Sequence, residues 1–305
     1  MLIQENGAIL RLQSTARIFQ TRFDFQIISS QNEHLGLFNT DGTICEREIA
    51  SLTAKALLIN AETSLFENPQ LCESLFGWDN STELAFIQDN HHSNDRILDV
   101  GCGWGRILIP LAKQGYKVDG YDSSHALIRY LQTKLSEVDS SLFVATFETF
   151  LAPNRYQTVY ASLNTIRYAP SFSVLKAHLF CIRESLKKGG RYLVHATFNR
   201  SCSTLSEATW IAVHGQRSFH VSWKFLSADY WHHELYEEVC LTDLESGKRY
   251  REIQKQLWLS IERFCNLIKQ VGGFCIEEVF DERGQRLGDL QSLDNGRYWV
   301  VLRKA

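Results

Sequence analysis

From residue 96 to residue 198, short apolar runs alternate with segments of helical periodicity, and this alternation constrains the fold more than any other feature. RILDVG is a brief apolar run bounded by glycine, as a strand buried on both faces requires. GRILIPLAKQG reads as a helix ending at Gly115, YKVDGYD as a second strand, and SSHALIRYLQTKLSEV as a helix opened by a capping serine. SLFVAT and YQTVYASL are the third and fourth strands. SVLKAHLFCIRESLKKGG is a helix stopped by a double glycine, and RYLVHATF is a fifth strand. After a break, SIERFCNLIKQVGG resumes as a helix, followed by strands CIEEVFDE and RYWVVLRK. Such an order implies an α/β fold: a doubly wound, mostly parallel seven-stranded sheet with helices on both faces.

Two stretches depart from the alternation. Residues 1–95 read as an N-terminal addition of mixed β/α character. RIFQTRFDFQII and HLGLFNTDGTICE look like strands there, the second turning at Asn39–Gly42, and EREIASLTAKALLINA looks helical. Residues 199–256 are rich in aromatics and β-formers, with ESGK as a hairpin signal, and read as an antiparallel insertion after strand five. The core is then 96–198 plus 257–305.

Composition removes several function classes. A net charge of −3 over 305 residues offers no electrostatic footing for nucleic acid. No apolar run is long enough to span a bilayer, and MLIQENGAILRLQ lacks the layout of a signal peptide. The eight cysteines show neither CxxC pairs nor metal spacing, which fits reduced thiols in a cytoplasmic protein without a metal site. A monomer or homodimer is expected.

The chemistry concentrates in Asp99-Val100-Gly101-Cys102-Gly103-Trp104-Gly105-Arg106, between a predicted strand and a predicted helix. Glycines there permit a tight turn and close approach of a ligand to the backbone. The spacing is GxGxG, with Arg106 where a dinucleotide fingerprint would have its third glycine. Asp99 would repel the phosphates of a dinucleotide but suits a ligand bearing an ammonium and a sulfonium. Asp122, at the end of the second strand, can accept two ribose hydroxyls, a feature shared with NAD proteins.

The run ILDVGCGWGR…VDGYDSSHALI closely resembles motif I and the following acidic position of class I S-adenosylmethionine (SAM)-dependent methyltransferases, which have a Rossmann-like fold. LKKGGRYLVHATF and FCNLIKQVGGFCIEEVF resemble later segments of that superfamily. An insertion after strand five is typical of its small-molecule branch. The resemblance covers about 95–198 and 257–305. It implies SAM as cofactor, with Asp99, Gly101, Gly103 and Gly105 at the methionine part and Cys102 and Arg106 in the same turn. Asp122 and Ser123 would lie at the ribose, Thr146 and Phe147 at the adenine, and Leu163 and Asn164 at the sulfonium. Many relatives have Asp where this chain has Thr146. Asn164 has a second reading, as a turn residue satisfying its own backbone.

The acceptor side is less defined. SLNTIRY, after strand four, lacks the NPPY-type motif of enzymes that methylate nitrogens in nucleic acids and proteins, so a small molecule bearing an O or N nucleophile is expected. His232 or His233 would act as general base, or be an ordinary exposed or core histidine. Arg167, beside Tyr168, would clamp an acceptor carboxylate or form a surface ion pair. Trp223, Tyr230 and Trp231 would wall the acceptor or form the core of the insertion. Two other readings stand: a SAM-binding scaffold without turnover, and an NAD(P) enzyme, the latter disfavoured by GxGxG and Asp99.

Overall fold

The computed structural model describes residues 65–92, 94–198, 207–229 and 231–305, and four short strands among the first 64 residues. Those strands are β1 (Leu2–Glu5), β2 (Ala8–Arg11), β3 (Arg17–Gln20) and β4 (Phe25–Ile28). β1 pairs with β2 and β3 with β4, both antiparallel. RIFQTRFDFQII is therefore a hairpin rather than one strand. The predicted strand HLGLFNTDGTICE and helix EREIASLTAKALLINA lie outside the described residues.

Two helices precede the core, α1 (Pro69–Phe76) and α2 (Ser81–Asp89). Asn68 caps α1 by accepting from the Gln70 and Leu71 amides, with Pro69 at the first helical position. The core then runs β5 (Arg96–Val100), α3 (Leu108–Lys113), β6 (Val118–Asp122), α4 (His125–Lys134), β7 (Leu142–Val144), β8 (Tyr156–Ala161), α5 (Phe172–Ser185) and β9 (Leu186–Phe198). It closes, after four further strands, with α6 (Ile261–Val271), and the last two strands run Phe274–Phe280 and Gly296–Lys304. Between core halves lie β10 (Glu207–His214), β11 (Arg217–Asp229), β12 (Glu234–Asp243) and β13 (Arg249–Leu257). The final pair are thus β14 and β15.

The main sheet has the order β14-β15-β9-β8-β5-β6-β7. Within it β15 alone runs antiparallel to its neighbours. Alternate residues feed two cores, one on each face. Leu98, Tyr192, Val194 and Val300 pack toward α5 and α6, whereas Ile97, Leu193, Trp299 and Val301 pack toward α2, α3 and α4. Burial on both faces explains why these strands read as continuous apolar runs. The chain leaves β5 toward β6 on one side and reaches β8 on the other, so strand order reverses at the β5/β8 junction. That crevice is where such sheets bind ligands.

One predicted boundary shifts. The fifth helix ends at Ser185, not at the double glycine, and LKKGG already belongs to β9. Pairing with β8 jumps from Tyr156↔Leu186 to Thr158↔Arg191, so the strand bulges there. Gly189 takes φ 73°, and a Cβ on Gly190 would sit 3.0 Å from the Gln157 carbonyl. The glycines serve this bulge rather than a helix stop.

β10 to β13 form a second, antiparallel sheet in sequential order. ESGK turns β12 into β13, with Asp243 accepting from the Glu245 and Ser246 amides and Gly247 at φ 69°. Phe219, Val221, Val239 and Leu241 of this sheet bury Leu65, Leu71 and Leu75. The segment carrying α1 is thereby pinned to the second sheet. No described helix is long and apolar enough to cross a membrane.

Candidate active site

Residues 101–106 leave the carboxyl end of β5 in a turn that needs left-handed backbone at three places. Gly101, Gly103 and Gly105 have φ of 62°, 54° and 93°. Their surroundings differ. A Cβ on Gly101 would fall 2.6 Å from Thr165 Cγ2, and one on Gly105 would fall 2.8 Å from Ile109 Cγ1. Around Gly103 nothing lies within 4 Å of that position, so its backbone faces open space. The outer two glycines allow packing, and the middle one leaves room for a ligand.

That space is a cleft of about 1010 Å³. Every residue assigned above to the cofactor lines it except Gly105, which is packed beneath the turn against Leu131 and Ile109. Asp122 receives the Gly103 amide at 2.9 Å and the Ser124 amide at 2.9 Å. Burial nevertheless raises its pKa above the usual carboxylate range. Asp99 is only 4% exposed, beside the equally buried Tyr160. Burial foremost pushes its pKa up to about 8, with Asp122 and Glu83 adding to the rise. Cys102 is buried and its thiol is pushed upward, which makes it packing rather than a nucleophile. Phe147 sets its ring against His178, at 4.9 Å between centroids, while Thr146 hydrogen-bonds Thr149.

After β8 the backbone is strained, with Leu163 at φ 45° and Asn164 at φ 67°. Such consecutive left-handed residues cost energy and persist where neighbours hold them. Asn164 donates its amide to His195 O and accepts from the Thr197 amide through Oδ1, at 2.6 Å. Its side-chain oxygen therefore joins this turn to the end of β9. Arg106 lies below the glycine turn in a two-point ion pair with Glu83 of α2, at 2.6 and 2.7 Å.

The other half of the cleft is built by segments outside the α/β core. Phe66, Phe76 and Trp78 come from around α1, Trp210 and Trp223 from β10 and β11. Phe76–Trp223 and Trp78–Trp210 make edge contacts at 6.1 and 6.3 Å. Glu237, Gln254 and Gln256 present polar groups from β12 and β13. Tyr168 reaches the same place from the loop after β8, donating to Gln254 Oε1 at 2.6 Å.

Several acceptor-side expectations need correction. Arg167 is 1% exposed, lies outside the cleft lining, and donates from Nε to Leu257 O, so it braces the second sheet and does not reach an acceptor carboxylate. His232, His233 and Trp231 sit in the turn joining β11 to β12, not on a strand, and none lines the cleft. Asp229 collects the Trp231 and His232 amides and the His232 ring. His233, at φ 56°, accepts from Arg263 at 2.7 Å, and burial and then that charge lower its pKa. Tyr230 lies outside the described residues. Trp223 does line the cleft. Trp231 is 85% exposed, so Trp231→Ala is expected to change unfolding free energy by no more than about 0.5 kcal/mol in a urea titration.

The sequence reading did not single out Glu237, Gln254, Gln256, Trp210 or Trp78. The signal was the two-residue period of EIQKQ in β13, whose Gln254 and Gln256 share a face with Glu252.

Residues 97–190 match the family model described as "Methyltransferase domain". A protein of Geobacillus sp. (strain WCH70) that carries a provisional methyltransferase name is 23% identical over 67% of this chain and 84% of its own length. Among solved structures, the CcbJ methyltransferase of Streptomyces caelestis aligns with TM-score 0.64 and 18% identity, over 80% of this chain and 99% of the other. The sugar N-methyltransferase KedS8 of Streptoalloteichus sp. ATCC 53650 aligns with TM-score 0.62 and 17% identity, over 78% and 94%. Sheet order, glycine turn and family match together identify a methyltransferase domain on a Rossmann-like sheet. Within the chain, residues 97–190 are its methyltransferase domain.

Proposed function

We propose that this enzyme methylates a small molecule held in the aromatic half of the cleft, with SAM held in the half formed by the glycine turn. The observation that carries the proposal is the division of one cleft into two chemistries. Asp99, Asp122 and the open Gly103 backbone line it from the α/β core, and Trp78, Trp210 and Trp223 from segments outside that core. The first set fits SAM, a cation with ribose hydroxyls and no phosphate. When bound, SAM supplies an electrophilic methyl group on a sulfonium. Asp99 and the backbone of Gly101 and Gly103 would hold the methionine part, Asp122 the ribose, and Thr146 and Phe147 the adenine. The second sheet, β10 to β13, and the segment around α1 would close over the acceptor, excluding water and fixing its approach. The neighbour KedS8 acts, by its name, on a sugar nitrogen, which supports a small acceptor of that size.

Calorimetry with SAM and with NAD tests the assignment of the near half. SAM binding is expected and NAD binding is not. Asp122→Ala should lose roughly 1.5–3 kcal/mol of SAM affinity, about ten- to a hundred-fold. Because Asp122 also holds the Gly103 and Ser124 amides, the variant's melting curve is recorded alongside. Unchanged affinity in a folded variant places the ribose elsewhere. Release of S-adenosylhomocysteine in the presence of small-molecule acceptors separates an enzyme from a scaffold that only binds SAM.

A further inference from the structure

Arg191 of β9 and Arg303 of β15 are direct register partners across two antiparallel strands, so both lie on one face of the main sheet. Like charges placed opposite each other in this way destabilise a sheet. A single carboxylate serves both guanidiniums. Glu277 accepts from Arg191 Nε at 2.8 Å and stands 3.5 Å from Arg303 Nη1. It reaches them from a bulge in β14, where the pairing with β15 skips from Ile276 to Glu278. Lys187, on the same strand as Arg191, is held by Asp95 at 2.7 Å. Two guanidiniums against one carboxylate leave a positive charge in excess here, on a chain whose net charge is −3.

The two arginines border a pocket of about 220 Å³ near the amino end of β8. Asn90 and His92, from the segment joining α2 to β5, and Gln157 and Thr158 of β8 line the rest, so every side chain on its wall is polar. The bulge in β9 shapes the same pocket. Gly189 takes φ 73° there, and a Cβ on it would stand 3.8 Å from Arg303 Nη2. Bulges commonly re-aim side chains beside functional sites, and two of them meet at this pocket. The cleft lies at the other end of β8, beyond Ala161, and shares no lining residue with it. We infer that this pocket is a second binding site, which takes a phosphate group, free or as a small monoester. A planar guanidinium offers paired N–H donors that match phosphate oxygens, and here two adjacent strands each supply one. The anion relieves the repulsion between Arg191 and Arg303, and Glu277 competes with it for the same donors.

The test follows the phosphorus NMR line width of inorganic phosphate, and separately of ribose 5-phosphate, titrated with the full chain at pH 7 and constant ionic strength. Saturable broadening is expected for at least one probe, with half-saturation at roughly 1–5 mM, and the tighter probe names the source of the phosphate. Arg303→Gln should weaken binding by at least about tenfold, and Glu277→Gln should tighten it about threefold by removing the competing carboxylate. The Arg303 side chain is 54% exposed, so its replacement is expected to leave the fold intact, which circular dichroism checks. No saturation of either probe up to about 20 mM in the native protein overturns the inference, and that titration needs no variant to fold. Binding undiminished by Arg303→Gln lies elsewhere on the molecule and overturns it equally. Binding that Glu277→Gln leaves unchanged or weakens overturns the charge balance on which it rests.

Discussion

Asp99→Asn is expected to make the free protein more stable and the cofactor complex much weaker. The carboxyl is buried at the end of β5, and burial raises its pKa from 3.8 to about 8. The sign follows from proton counting. Between pH 3.8 and pH 8 the folded state keeps a proton that the unfolded chain has lost, so stability falls as pH rises across that window. Asparagine does not titrate and removes this slope. The melting temperature of the variant should exceed that of the native protein most clearly at pH 8 and above, and the gap should narrow toward pH 4. Binding of SAM reverses the preference, because a cation beside Asp99 favours the ionised form. Loss of that charge in a buried site should cost roughly 2–5 kcal/mol of SAM affinity, about thirtyfold to several thousandfold. Native binding at pH 7 should release up to one proton, seen as a calorimetric enthalpy that changes with buffer ionisation heat. Proton-neutral binding, or a variant that binds SAM normally, would show that Asp99 does not face the cationic end.

The α/β core was legible because its information is local. Ile97, Leu98 and Val100 are wholly buried, so β5 reads as an apolar run interrupted only by Asp99, and Ser124 caps α4 where a serine opened the helical pattern. The glycine turn was legible for the same reason, since three left-handed residues within five positions leave few alternatives to glycine. Gly105 shows the limit of motif reasoning: it lies in the fingerprint but serves packing against Leu131 rather than the cleft. The acceptor side depends on register between strands far apart in sequence. Glu237 meets Trp223 because β12 pairs with β11, and Gln256 meets Tyr168 because the loop after β8 packs against β13. His232 and His233 drew attention as chemistry-bearing types in an aromatic run. Whether residues 231–233 formed strand or turn decided their role, and that depended on where β11 ended.

A larger change in stability is expected from Glu83→Ala. Glu83 lies on α2, ahead of the methyltransferase domain, and it grips Arg106 of the glycine turn through both oxygens. His195 stands 3.6 Å from the same carboxylate and stacks on Trp299 at 4.3 Å, so one side chain joins α2, the glycine turn and β9. Burial works to raise the Glu83 pKa, but the neighbouring His195 and the Arg106 guanidinium outweigh it and bring it to about 2. Alanine leaves the Arg106 guanidinium buried without its countercharge, which should cost roughly 3–5 kcal/mol in urea unfolding at pH 7. A lowered pKa contributes stability that is present above pH 4.5 and lost as pH falls toward 2, so the gap between native and variant should close across that interval. Glu83→Gln keeps a hydrogen bond and removes the charge, and should fall between the two. The double replacement Glu83→Leu, Arg106→Met removes both charges together and should recover most of the loss. A double variant no more stable than Glu83→Ala would mean that α2 is held by its apolar contacts through Phe86 and Ile87, and that the ion pair positions the glycine turn without stabilising it.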